Sequence, residues 1–361
     1  MNMDDQTAKA AGAPGWDAID TALRVIYGDQ VPRHYGTLLS YRLGGPDPLD
    51  GISAYARTAP FPHWHFITFG FSELYEKETE NPLPEQSGYG FELTMRLTRD
   101  LADTEPPMWA LNFLQNLARY VFQSGNVFQA GDHMDLNGPI AIGQATAITT
   151  MAIQADPELT EIQTPNGSLS FLQVVGLTAD EYAAVLAWNT KRFLEVAGRQ
   201  LPLGQIDLAR SSLLKIPSFL KEVTEGTERD GSSTGRLFVD KAEFEIRRSF
   251  LRQPTVEIRL GTIVVEKMAA ILPARIQHGR GFGLAMAKAS IEFEPGTEAK
   301  WSLETPDRLI VHLPLGTAVE LSKRLLSRAS SFAIPGLPQV SITVIPSIIR
   351  DRDGHAVRTI E

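Results

Sequence analysis

Arg119-Tyr-Val-Phe-Gln-Ser-Gly-Asn-Val-Phe-Gln-Ala-Gly-Asp132-His133 decides how this chain is read. An amphipathic helix ends in it, the chain turns through Gly125-Asn126, and a Gly131-Asp132-His133 corner follows. The helix begins after Pro106-Pro107 and occupies 108–123, with Leu111, Leu114, Ala118, Val121 and Phe122 on one side at helical spacing. Strand-like runs at 38–43, 52–57, 63–71 and 89–99 precede it, and runs at 140–154 and 168–176 follow. Gly44-Gly-Pro-Asp-Pro48, Ala59-Pro-Phe-Pro62 and a Pro/Gly/Glu-rich loop at 76–88 separate the earlier runs. Connections of this kind favour antiparallel pairing, because parallel neighbours need a long crossover. Strands and helices mixed without regular alternation predict an α+β fold.

Outward from this centre, residues 1–14 are small and polar, a frayed tail. Trp16, Ile19, Leu23, Ile26 and Tyr27 recur at helical spacing up to Gly28. Thr178-Ala-Asp-Glu181 is a capping box, and the helix it opens carries Tyr182, Val185, Leu186, Phe193 and Val196 before stopping at Gly198. Pro217 begins a polar stretch whose Glu/Ser/Thr/Gly-rich part, 225–235, is the strongest linker signal in the chain. Two domains are therefore expected, 15–216 and 236–361, joined by 217–235. In the second, 237–247 and 255–260 alternate as half-buried strands do, and 263–272 is a helix closed by Pro273. Residues 275–293 read as strand interrupted by Gly279, Gly281 and Gly283, followed by a strand at 309–313, a helix at 317–327 and a strand at 340–345. Each half is α+β, a mostly antiparallel or mixed sheet with packed helices.

The 361 residues are 43% hydrophobic and 21% charged, an ordinary globular balance. A net charge of −9 argues against sequence-independent nucleic-acid binding and suits a basic or cationic partner. The chain has no cysteine, which removes disulfides and thiol catalysis and fits a reducing compartment. No secretory signal and no run long enough to span a membrane is present, so a cytoplasmic protein is expected.

His63 and His65 share one strand face, with His133 as a conceivable third metal ligand, although no spacing fixes such a site. The bland alternative is two polar residues flanking a core Trp64. Gly279-Arg-Gly-Phe-Gly283 has the look of a nucleotide loop but interrupts a strand-like run, where a bulge explains it better. Arg247-Arg248 and Lys323-Arg324 read as solvated faces, and Trp64, Phe69, Phe71 and Trp109 as core. No nucleophile elbow or paired acid asks for an enzyme. Asp132 reads equally as a functional acid or as a turn acid accepting backbone bonds.

Taken in order, these residues resemble the Suppressor of fused family. The likeness runs through Val31–Thr37, Leu43–Ser53, His63–Gly70, Gly88–Thr94 and Leu117–Ser124 to Gly131-Asp-His133. It continues in Gln163–Gly167, Phe171–Gly176 and Asp230-Gly-Ser232. The second half matches more loosely, through Leu272–Arg280 and Val344–Pro346. The resemblance implies a non-enzymatic, two-lobed protein that captures an extended protein or peptide segment between its lobes, without a cofactor. In the animal family an aspartate and a tyrosine hold a histidine of the captured segment. By motif these are Asp132 and Tyr120, and the pairing strand of the second lobe corresponds to Ile276, Gln277, His278, Arg280 and Phe282. The short, cysteine-free chain is more like the bacterial-type members, some of which are associated with toxin systems as immunity proteins. A monomer binding protein, with neither nucleic acid nor membrane as partner, is expected.

Overall fold

The computed structural model describes residues 12–39, 41–76, 85–239, 242–248, 253–286, 288–350 and 356–360. The chain divides into two compact units. Met1–Ala179 and Ala197–Ser212 make the first, and Asp180–Val196 and Leu213–Glu361 the second. The α+β class holds in both, with mixed sheets and helices.

The first unit opens with α1 (Pro14–Tyr27), β1 (Arg33–Gly36), β2 (Gly51–Arg57), β3 (His63–Phe69) and β4 (Gln86–Thr98). It continues with α2 (Met108–Ser124), β5 (His133–Asp135), β6 (Ile148–Ala155), β7 (Ile162–Thr164) and β8 (Gly167–Thr178). One sheet runs β1-β2-β3-β4-β8-β6-β5, with β7 paired to β8. The β1-β2, β2-β3 and β3-β4 pairs are antiparallel, the short β2-β3 connection at 58–62 leaving no room for a crossover, while β4 and β8 run parallel. Every residue of β3 is buried, because both faces of the sheet are covered. Trp64 and Phe66 join the core under α2 with Leu114, Ala118 and Val121. The alternate positions Ile67 and Phe69 point to the opposite face, where α1 places Ile19, Leu23 and Tyr27.

In the second unit come α3 (Ala179–Ala187), α4 (Thr190–Ala197), α5 (Pro217–Asp230), β9 (Arg236–Phe238), β10 (Ala242–Arg247), β11 (Thr255–Gly261) and α6 (Thr262–Ile276). They are followed by β12 (Phe282–Ala285), β13 (Ser290–Pro295), β14 (Lys300–Thr305), β15 (Arg308–Leu313) and α7 (Leu315–Arg324). The chain ends with β16 (Ser330–Ile334), β17 (Leu337–Ile345), β18 (Ser347–Arg350) and β19 (Ala356–Ile360). The sheets are β14-β15-β13-β12-β9, β10-β11-β17-β16 and the hairpin β18-β19. Val265, Met268, Ile271 and Leu272 of α6 share one core with Ile258 and Val340 of one sheet and Phe282, Ile291 and Leu309 of another.

Several local expectations are corrected. The strand read at 38–43 is not formed among its described residues; a 3-10 turn occupies Tyr41–Leu43 and the strand lies earlier, at β1. The helix read up to Gly198 is two helices, because Asn189 restarts it: its Oδ1 accepts a bond from the Arg192 amide at 3.1 Å, capping α4. The most consequential correction concerns the expected linker. Residues 217–230 form α5, with Phe219, Val223 and Gly226 buried at helical spacing. Phe219 meets Phe193 edge-on at 5.5 Å, and Gly226 leaves room for the Trp188 ring, which any Cβ there would strike. The Trp188 indole N–H then donates to Asp230 at 2.9 Å. Polar composition concealed a narrow apolar stripe. The frayed tail read at 1–14 lies largely outside the described residues, but Pro14 already starts α1.

Candidate functional site

The Gly131-Asp132-His133 corner stands where α2 has ended and the sheet reaches its last strand. Gly125, at φ 74°, turns the chain out of α2, and its amide donates to the Val121 carbonyl. Phe128 tucks back into the core. Asp132 then pairs its backbone with Ile153 of β6, whose amide donates to the Asp132 carbonyl at 2.8 Å. The Asp132 carboxylate accepts the Gln129 amide at 2.8 Å and is otherwise turned to solvent. The turn-acid reading is thus realised, yet one backbone bond leaves most of a carboxylate's acceptor capacity in place. Tyr120 is 37% exposed. Its ring lies 5.8 Å from that of Phe128, and its hydroxyl accepts from Asn126 Nδ2 at 3.0 Å. Tyr120 thus packs against Phe128 in the segment that leads to Asp132, and the Tyr120 O–H remains a donor.

Immediately beyond, β5 pairs with β6 and is the last strand of this sheet among the described residues. A groove of about 510 Å³ runs between α2 and the residues after the corner. Trp109, Phe113, Leu136 and Ile142 give it apolar walls, Asn112 and Asn116 a polar rim, and Tyr120 lines it too. Ile142 is 85% exposed, an unusual cost for a large aliphatic side chain. Sequence reading missed β5, whose three residues are too short to show alternation; Trp109, read as core, does pack against the core and lines the groove as well. The exposed apolar Ile142 beside Gly143 was the available signal.

The second-half residues need a different account. Ile276 is the last residue of α6, Gln277–Gly279 form a turn, and only Phe282 lies in a strand. The strand expected at 276–280 is therefore not formed, because α6 runs through Pro273 instead of closing before it. Burial of Leu272, Ala274 and Ile276 offsets the hydrogen bond that the proline ring removes. Ile276 and Phe282 are buried. Arg280 donates to the Asp230 carbonyl at 2.7 Å, and Arg275 to that of Ser232 at 2.9 Å. Gly231, at φ 64°, admits His278 against the backbone. These polar groups fasten the end of α5 to the end of α6. Moreover, β12 is paired on both sides, and the end strand next to it is β9, where Phe238 is 89% exposed.

The histidines do not converge. His63 and His65 lie on the α1 face of β3, while His133 is on β5, four strands away and roughly 19 Å distant at sheet spacing. His65 instead belongs to a buried polar network. Its Nδ1 meets the Tyr27 hydroxyl, and its Nε2 stands 3.4 Å from Asp156 Oδ2. Asp156 also accepts from both Arg96 terminal nitrogens, at 2.7 and 3.0 Å, and from Thr94 Oγ1 at 2.6 Å. Two backbone amides, Glu158 and Leu159, complete it. Burial opposes the Asp156 charge, but the bonds from His65 and Arg96 prevail and hold its pKa well below the usual range. Burial, then the Arg96 charge, push His65 down to about 4. The His63 Nδ1 is occupied by the Phe61 carbonyl at 2.7 Å. The basic pairs are solvated: Arg247 reaches Glu257 and Arg324 reaches Glu320, with Arg248 exposed.

The family model described as Suppressor of fused protein (SUFU) matches residues 45–211. The human and mouse proteins each named Suppressor of fused homolog are 38% identical over 239 residues. That covers 61% of this chain and 48% of theirs, so the chain spans about half the length of these curated relatives. Among solved structures, Drosophila Suppressor of Fused superposes with a TM-score of 0.70 at 23% identity, covering 92% of this chain and 97% of that one. A chain of the Sufu-Fu complex matches at 31% identity and a TM-score of 0.55, over 59% of this chain and 98% of that chain.

Proposed function

Because the chain belongs to the Suppressor of fused family, we propose that it is a non-enzymatic protein that captures an extended segment of a protein partner. The observation that carries this reading is the exposed Asp132 at the entrance to β5, the last strand of its sheet, which follows the α2 end whose Tyr120 lines the groove. A segment laid against β5 gains main-chain hydrogen bonds, and the groove selects among its side chains. Asp132 and Tyr120 hold a histidine of that segment, the carboxylate favouring the imidazolium and the phenol donating its free proton. Binding then strengthens as pH falls through about 6.5, the ordinary histidine value. The Sufu-Fu complex supports a protein as partner class. An acidic, cysteine-free composition supports a cytoplasmic setting.

The test begins with affinity capture of the partner from the native cell. Its dissociation constant is then measured with the wild-type protein and with Asp132→Arg. Reversing the charge is expected to weaken binding more than about tenfold, as loss of a partner in a charge pair does. Equal affinities would sink the reading. Capture that survives the substitution but collapses with salt would point instead to the acidic surface, as for an immunity protein.

A further inference from the structure

A second pocket, of about 430 Å³, lies in the first unit at the β1–β2 end of the sheet, opposite β5. We propose that it binds an alkylammonium group. Four features converge on that chemistry. Asp20, projecting from α1, is partly buried, and no described cation lies within ion-pair distance of it. Burial accordingly raises its pKa, and the pulls of the Arg24 and His34 charges and of the Trp16 side chain only partly offset it. A positive group would restore what the carboxylate has lost in hydration. The Tyr55 side chain is 5% exposed and lines the pocket, yet its hydroxyl makes no hydrogen bond to any described residue. That hydroxyl opens onto the cavity, where it can accept from an ammonium N–H.

The remaining features concern the walls. The pocket sits at the C-terminus of α1, at Tyr27, Gly28 and Asp29, where the helix dipole favours cations. Its sides are aromatic: Trp16 stands edge-on to His34 at 5.3 Å, and Tyr27 stacks on Tyr55 at 3.7 Å. Aromatic surface tolerates an ammonium and its alkyl stem, through cation–π attraction and apolar contact. Arg24 would favour an anion, but it is exposed and stands against two carboxylates, Asp20 and Asp29, in a chain of net charge −9. The ammonium can come from a lysine side chain of another protein or from a free polyamine.

n-Butylammonium, the side-chain analogue of lysine, is the probe, titrated into the full chain while NMR follows the Trp16 indole resonance. It is expected to bind saturably, with neutral 1-butanol producing no saturable shift. Asp20→Asn should weaken the probe about fivefold and Tyr55→Phe about twofold, with circular dichroism confirming each fold. Glu298→Gln, at an exposed acid with no part in either site, should leave its affinity unchanged. Tighter binding by a lysine-containing tripeptide than by spermidine identifies a protein side chain as the source, and the reverse identifies a polyamine. Equal binding of butanol and butylammonium, or unchanged affinity in both Asp20→Asn and Tyr55→Phe, overturns the proposal.

Discussion

Asp132 and Asp156 are two aspartates of one sheet with opposite circumstances. Asp132 enters an edge strand, is open to solvent and accepts a single backbone amide. Asp156 follows β6, is buried, and accepts from Arg96, Thr94 and two backbone amides, with His65 adjacent. A carboxylate surrounded by donors has no capacity left for a partner, and its charge serves the fold. A carboxylate left open on an edge contributes little to the fold and keeps its chemistry available. The contrast separates structural from binding residues without any knowledge of the ligand.

Three measurements break or sharpen that contrast. Asp156→Ala leaves the buried Arg96 guanidinium with Glu158 and Gln173 alone and frees two backbone amides, and should destabilise the protein by about 3–5 kcal/mol in urea unfolding. A loss under about 1 kcal/mol would show that the buried network is dispensable. Next is pH. His65 is held neutral in the fold, with a pKa of about 4 against an ordinary 6.5 when unfolded. The unfolded state therefore binds the extra proton first, and stability contributed by the neutral ring is present above about pH 6.5 and lost progressively towards pH 4. The loss should be on the order of 3 kcal/mol, and it should shrink in His65→Asn relative to wild type at matched pH. Identical pH profiles would remove His65 as the cause. The smallest effect is at the edge: Asp132→Ala forfeits one exposed turn bond, so stability should fall by no more than about 1 kcal/mol. A larger fall would make Asp132 a structural residue like Asp156 and remove the contrast.

Much of the first unit was legible because its signals are local. Leu114, Ala118 and Val121 mark a helix by spacing alone, and short Pro/Gly connections fix the antiparallel neighbours. Tyr120 and Asp132 entered through motif order; Tyr120 packs on Phe128 and Asp132 accepts the Gln129 amide. What stayed hidden depended on contacts distant in sequence. Gly226 looks like linker chemistry until Trp188 occupies the space it leaves. Pro273 looks like a stop until the burial of Ile276 is known. Asp230-Gly-Ser232 carried the family likeness, but its purpose is architectural. The Ser232 hydroxyl donates to the Leu186 carbonyl at 2.6 Å, and its own carbonyl receives Arg275. The β5 edge was missed because three residues carry no period.

The chain's route between its units has a consequence for synthesis and for dissection. The first unit takes back residues Ala197–Ser212 after α3 and most of α4 have been given to the second. Within that returning segment, Ile206 exchanges backbone bonds with Arg96 and Thr98 at the end of β4. A ribosome has therefore begun the second unit before it delivers the piece that completes the first. Nor can one cut part them: a fragment beginning at residue 217 lacks Leu186, which holds Ser232, and Trp188, which anchors Asp230. The two bodies are woven from a single thread, so a division at residue 217 leaves the second without α3 and α4.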